Sequence, residues 1–83
     1  MDGVIKNKIA MRQLANKQLL SILEQVVDNN TDLRLGQILF NYQFVKWEVT
    51  DEGIKIHDPF YEEPVDTLNR VKSIIEELQK SIV

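Results

Sequence analysis

The chain has 83 residues, enough for one domain, and a formal net charge of −3 with 43% hydrophobic and 28% charged residues. These values are typical of a folded globular protein and exclude an intrinsically disordered one. The chain has no cysteine, which excludes disulfides and thiolate metal sites. Its N-terminus lacks the apolar core of a signal peptide, and no run of about 18 apolar residues is present. We therefore expect no membrane span and a cytoplasmic location.

We predict a single domain over residues 1–83, in which residues 1–7 fray because Gly3 and Asn7 are poor helix formers. A long first helix is predicted from about Lys8 to residues 28–30, where asparagines favour a helix end. The apolar residues with helical spacing form one stripe, widened on one side into a broad face that we expect to pack in the core. The stripe is Met11, Ala15, Leu19, Ile22 and Val26, and Leu20, Leu23 and Val27 widen it.

A second helix is predicted after Thr31, whose hydroxyl is suited to cap its N-terminus. Its apolar positions are Leu35, Ile38, Leu39 and Tyr42. Gly36 lies inside this helix, where glycine costs roughly 1 kcal/mol relative to alanine. We expect Gly36 to permit close packing against another helix, and the alternative is close approach of a ligand or a partner backbone.

The next segment changes to a period of two. Alternating apolar residues on either side of Asp51–Gly53 predict a short hairpin with a three- or four-residue loop. Asp58 and Pro59 are suited to the cap and first position of a short helical turn, and Pro64 opens a third long helix. The stripe of that helix is Leu68, Val71, Ile75, Leu78 and Ile82. The predicted fold class is mainly α with minor β: an antiparallel cluster of three helices with a small β-hairpin between helices 2 and 3.

No group of residues in the chain has the pattern of a catalytic site. His57 is the only histidine, and the acids near it come from one short segment, whereas metal ligands converge from several places. We expect His57 to hydrogen-bond at the end of a strand, and we predict no enzyme activity and no catalytic, cofactor-binding or metal-binding residue. The acids that follow are predicted on a solvated helix face or first turn: Glu62, Glu63, Asp66, Glu76 and Glu77.

Six residues are candidates for binding a protein partner. Three of them form a polar edge along helix 2, which either contacts a partner or an anion or fixes the backbone of residues 60–61. The other three are large aromatics, which are typical both of interface hot spots and of a core, and we expect core positions. The polar residues are Arg34, Gln37 and Asn41, and the aromatic ones are Trp47, Phe60 and Tyr61.

The motifs DLRLGQILFN and DPFYEE resemble those of a group of small bacterial proteins that often occur in prophages and other mobile elements. The matching positions are Asp32, Arg34, Gly36, Gln37 and Asn41, then Asp58, Phe60, Tyr61 and Glu63. The match covers roughly half the chain and leaves out the segment between the two motifs. The resemblance implies a compact, mostly helical fold, and a mobile-element setting favours, by analogy, a regulator or inhibitor of a host or phage protein.

We therefore predict a non-enzymatic interaction or regulatory module that binds a protein partner or a second copy of itself. One alternative is a DNA-binding transcriptional regulator in which two helices and the hairpin act like a winged helix. Against it stand the acidic balance and a second helix whose only basic residue is Arg34, so nucleic acid is an unlikely partner. The other alternative is a small-ligand-binding protein built around His57, Arg34 and Gln37, for which no cofactor is indicated.

Overall fold

The computed structural model describes the backbone of residues 2–82 and the side chains of residues 7–80. The chain is mainly helical, with a two-stranded antiparallel hairpin between the second and third helices, which confirms the predicted fold class. A single 3₁₀ turn precedes the last helix. The elements in chain order are α1 Asp2–Asn29, α2 Leu35–Asn41, β1 Trp47–Thr50, β2 Gly53–Ile56, the 3₁₀ turn Pro59–Tyr61 and α3 Pro64–Ile82.

Helix α1 begins at Asp2, earlier than the predicted start near Lys8. Residues 1–7 were predicted to fray. Of these, Met1 and the side chains of residues 1–6 lie outside the described residues. The C-terminus agrees with the prediction, since the Asn30 side chain donates to the Val26 carbonyl at 2.8 Å and its backbone N–H donates to Val27 at 3.2 Å. An asparagine thus satisfies a carbonyl that the helix end leaves free.

Helices α1 and α3 run parallel. Arg12 pairs with Glu63 directly before α3, while Val26, near the other end of α1, shares a groove with Ile75 of α3. The predicted antiparallel arrangement is therefore wrong for this pair. Its physical reason is the connection: residues 30–63 form a long crossover that returns the chain to the level at which α1 meets α3.

The described part of the chain has a small core. Met11 and Leu20 were predicted to face it, but they are 59% and 66% exposed. Met11 lies just before Arg12, the level at which α3 begins, and Leu20 lies on a flank of α1 that no other described element covers. The buried hydrophobic side chains are Ala15, Val26, Ile38, Leu68 and Val71, of which only Ile38 and Val71 are fully buried.

Helix α2 is shorter than predicted and is capped differently. It begins at Leu35, and the Arg34 backbone N–H donates to the Gln37 side chain at 2.8 Å. Thr31 is not its N-cap, because a turn after α1 comes first, closed by the Leu33 N–H donating to the Asn30 carbonyl at 3.1 Å. The carboxamide of Gln37 therefore satisfies a backbone donor at the start of α2.

The two glycines of this region have different roles. A Cβ added at Gly36 meets nothing within 4 Å, so the predicted close packing against a helix is wrong. Gly53 has φ +116°, a conformation that disfavours L side chains, and it pairs with Thr50. Only Asp51 and Glu52 lie between these paired residues, so the loop is shorter than the predicted three or four residues.

Substitution of the two glycines by alanine should therefore have opposite effects. We expect Gly36→Ala to raise the free energy of unfolding by about 0.5–1 kcal/mol, because alanine restricts the unfolded chain and fits the helix without contact. We expect Gly53→Ala to lower it by about 1 kcal/mol or more through backbone strain. Urea unfolding followed by the fluorescence of Trp47, the single tryptophan, measures both, and destabilisation by Gly36→Ala would contradict the open surroundings seen at that position.

Candidate interaction surfaces

Arg70 joins three separate parts of the fold. Its guanidinium donates two hydrogen bonds to the Glu62 carboxylate, at 2.7 and 2.8 Å, and one to the Gln43 carbonyl at 2.9 Å. Thr67 also donates to Glu62. Both charged side chains are mostly buried, 18% and 19% exposed. We call Arg70, Glu62 and the Gln43 carbonyl the Arg70 junction, and it ties α3 to the 3₁₀ turn and to the end of α2.

A second ion pair fixes the same turn to α1. The Arg12 guanidinium donates to both oxygens of Glu63, at 2.8 and 3.2 Å. The two side chains of this pair are about half exposed, so it is weaker than the Arg70 junction. The prediction that Glu62 lies on a solvated face is wrong, because its side chain pairs with Arg70 and is only 19% exposed. The sequence did not indicate these pairs, since no regular spacing along the chain links Glu62 to Arg70 or Glu63 to Arg12.

The two arginines change the acidity of the neighbouring carboxyls. Hydrogen bonds from Arg70 hold the pKa of Glu62 below its ordinary value, and hydrogen bonds from Arg12 do the same for the pKa of Glu63. Both folded-state carboxyls therefore bind a proton less readily than in the unfolded chain, so the folded state is favoured where they are ionised.

Replacement of Arg70 by lysine should destabilise the fold although the charge is kept. An ammonium cannot reproduce the two-pronged contact with Glu62 together with the bond to Gln43. We expect Arg70→Lys to lower the free energy of unfolding by about 1–3 kcal/mol. The matched control is Arg12→Lys at the exposed pair, which should have a clearly smaller effect in the same urea titration. Equal effects of the two variants would contradict the central role of the junction.

The free energy of unfolding should fall in acid as the paired carboxyls of Glu62 and Glu63 become protonated. A lowered folded-state pKa contributes stability that is fully present above the unfolded value of about 4.3 and is lost as the pH falls through the folded value. We expect the urea midpoint to drop as the pH falls from roughly 5 to roughly 3, and Glu62→Gln to flatten that dependence. An unchanged pH profile in Glu62→Gln would show that other groups cause the acid sensitivity.

Of the three aromatic candidates, Trp47 is the one whose side chain mainly packs within the chain. Its ring stacks on Phe40, with centroids 4.6 Å apart, and its indole N–H donates to the Phe40 carbonyl at 2.7 Å. Trp47 is half-buried and attaches the hairpin to the end of α2. The expected core position of Trp47 is thus partly correct.

Phe60 and Tyr61 are not core residues, contrary to the expectation. They are 82% and 83% exposed and contact each other edge to face, with centroids 4.9 Å apart. Asp58 caps the turn by accepting from the Phe60 N–H at 2.9 Å, and Pro59 takes its first position as predicted. We call Phe60 and Tyr61 the aromatic pair; it lies beside Arg12 and Asn16 of α1.

The predicted polar edge along α2, Arg34, Gln37 and Asn41, is exposed. Gln37 is used locally, in its contact with the Arg34 backbone. The structure does not show the edge fixing the Phe60 backbone, because that N–H donates to Asp58 instead. Binding of a partner by Arg34 and Asn41 stays a prediction.

One flank of α1 carries apolar side chains that the described chain leaves largely uncovered. Ile9, Leu20 and Val27 are 51%, 66% and 41% exposed, and Leu23 between them is half-buried. They recur at i, i+11, i+14 and i+18, with exposed Asn16 at i+7, so they share one side of the helix. We call these residues the α1 stripe: Ile9, Asn16, Leu20, Leu23 and Val27. Asn16 also borders the aromatic pair, which makes the two surfaces neighbours.

The hairpin has a second uncovered apolar surface. Val49 lies opposite Ile54, and Trp47 lies opposite Ile56, so all four side chains share one face. Beyond Trp47 this face is open, with Val49, Ile54 and Ile56 between 58% and 75% exposed. We call these three residues the hairpin face.

An open groove of about 520 Å³ lies between the C-terminal halves of α1 and α3. Its apolar side chains come from both helices, and amide side chains form much of its edge. Tyr42 closes one side, held by the Asn30 side chain donating to its hydroxyl at 3.2 Å. The residues that line it include Ile22, Val26, Ile75, Leu78 and Gln79.

His57 follows the end of β2, where its backbone N–H donates to the Lys46 carbonyl at 2.8 Å, but the hydrogen bond expected of its side chain is not formed at Nε2. Its Nε2 is buried and lies 3.4 Å from Glu48 without the geometry of a hydrogen bond. Among the hydrogen bonds of residues 7–80, none joins His57 to Arg34 or Gln37. Within those residues, no group of three or more His, Asp or Glu side chains is placed to hold a metal ion.

Comparison with protein-family models, curated proteins and solved structures found no match to this chain. The resemblance in the two motifs therefore stays a prediction. Of the helices within residues 2–82, none combines the length and the apolar character needed to cross a membrane.

Proposed function

We propose that this protein is a non-enzymatic interaction module that binds another protein chain through the aromatic pair and the adjoining α1 stripe. The observation that carries the proposal is that Phe60 and Tyr61 are more than four-fifths exposed while the described core has five buried side chains. Large aromatics contribute disproportionately to binding when a partner covers them. Contiguous exposed apolar surface of this kind is typical of protein interaction sites.

The aromatic pair is also held in place before a partner arrives. Asp58 caps the turn before it, and the pairs Glu62–Arg70 and Glu63–Arg12 fix the residues after it. A surface that is already ordered loses less conformational entropy on binding. This arrangement supports a docking surface better than it supports an unstructured loop. We place the module in the cytoplasm, because a chain without cysteine has none of the disulfides that small extracellular domains use.

The arrangement gives less support to DNA binding. Helix α2 has only seven residues, LGQILFN, and none of them is basic. A helix that reads a groove normally supplies basic residues to phosphates and base edges.

Capture experiments test the proposed function. The immobilised wild-type chain should retain a protein from nuclease-treated lysate of the native host, and the double variant Phe60→Ser/Tyr61→Ser should lose it while its helix content by circular dichroism is unchanged. Val49→Ser on the hairpin face is the matched control, since Val49 is 75% exposed and lies on a separate surface. Loss of the partner by Val49→Ser alone would contradict the aromatic pair as the docking site, and nuclease-sensitive capture would favour the DNA-binding alternative.

A further inference from the structure

We infer that the occupant of the α1 stripe and the aromatic pair is a second copy of this chain, docked with the two α1 helices antiparallel. The inference rests on the proposed function, for which it names the partner. Its starting point is the spacing of the stripe: Leu20, Leu23 and Val27 occupy successive positions of a seven-residue repeat, whose earlier positions hold Ile9 and the polar residues Gln13 and Asn16. A seven-residue repeat of apolar positions is the pattern by which two helices pack along their length.

The charges beside the stripe select the direction and register of the pair. Lys17 and Glu24 are both exposed on the same border of the stripe, and neither has an ion-pair partner among the contacts of residues 7–80. An antiparallel pair with Leu20 level with Leu23 of the second copy brings Lys17 within about 3 Å, along the axis, of Glu24 of that copy. By symmetry the pair forms twice.

Other registers bring like charges together. A shift by seven residues places Leu20 opposite Asn16 and brings the two copies of Lys17 side by side. A parallel pair brings Lys17 next to Arg12 of the second copy, which already pairs with Glu63, and keeps Lys17 away from Glu24, since a parallel pair joins opposite borders of the stripe. Like charges at such positions oppose association. The sequence of α1 thus complements itself in one arrangement.

The same register gives the aromatic pair a contact. It places Val27 of the second copy opposite Asn16, and Asn16 lies beside Phe60 and Tyr61. An aromatic side chain that is fully covered buries about 150–250 Å², so complete covering of the pair would supply up to roughly half of the ~800 Å² per partner of a standard interface. The α1 stripe supplies area over roughly three further turns of helix, from Asn16 to Val27, because in this register Ile9 lies past the end of the second copy's α1 at Asn29.

Sedimentation equilibrium over a range of concentrations tests the dimer. We expect the wild-type chain to dimerise and Leu20→Asp to weaken dimerisation about a hundredfold or more, because the change places a charge at the centre of the interface twice. The matched control is Leu14→Asp, a leucine of similar exposure on the same helix, 57% against 66%, that lies on another side of α1. It should dimerise like the wild type. Equal behaviour of the two aspartate variants overturns the inference.

Charge reversal tests the direction. Lys17→Glu and Glu24→Lys should each weaken self-association about tenfold, because each turns two attractive pairs into repulsive ones. Mixed in equal amounts, the two variants should form a heterodimer of wild-type affinity. In that heterodimer the introduced glutamate of one chain faces the introduced lysine of the other, and the unchanged Glu24 and Lys17 face each other at the second position. Failure of the mixture to associate better than either variant alone overturns the antiparallel register.

Failure of this inference can be told apart from failure of the proposed function. A wild-type chain that stays monomeric at all concentrations, but captures a host protein that the Phe60→Ser/Tyr61→Ser variant loses, overturns the second copy and leaves the interaction module standing. Dimerisation that Leu20→Asp abolishes, and that Phe60→Ser/Tyr61→Ser weakens with helix content unchanged, supports both.

Discussion

The contact between Arg70 and Glu62 is the constraint on which the connections of this fold depend. Two parallel helices need a long connecting segment between them, because the chain has to return from the C-terminal end of the first helix to the N-terminal end of the second. Here that segment contains a short helix, a hairpin and a single 3₁₀ turn, each too small to be stable alone. Arg70 attaches the segment to α3 at two separate points, Gln43 and Glu62.

The left-handed backbone of Gln43 shows what this attachment requires. Gln43 has φ 54°, a conformation that costs roughly 1–2 kcal/mol for a residue other than glycine. It follows the end of α2, and its carbonyl accepts the third hydrogen bond of Arg70. Charge-assisted hydrogen bonds are about twice as strong as neutral ones, so this bond is of the size needed to offset the backbone conformation.

The sequence was sufficient to predict the elements and most of the core, and insufficient for their arrangement. The spacing of Leu68 and Val71 predicted the buried side of α3, and Asp58–Pro59 predicted the capped turn, because these depend on neighbours along the chain. The parallel direction of α1 and α3 and the contacts of Arg70 depend on how the chain returns from residue 30 to residue 63. Leu20 shows a second limit of prediction from the sequence. Its spacing identified an apolar face of α1, but spacing alone does not say whether the chain itself or a partner covers that face.

The same contacts that hold the fold together also hold the candidate docking surface. Phe60 and Tyr61 lie between the Asp58 cap on one side and the two ion-paired residues Glu62 and Glu63 on the other. A small domain with few buried side chains has little stability to spare, so the cost of ordering an exposed aromatic turn has to be met by contacts nearby. Arg70 and Arg12 meet it without covering the rings. For the proposed interaction, the affinity of the surface is therefore expected to depend on the stability of the fold, and a change that loosens the Arg70 junction is expected to weaken binding although it replaces none of the exposed aromatic residues.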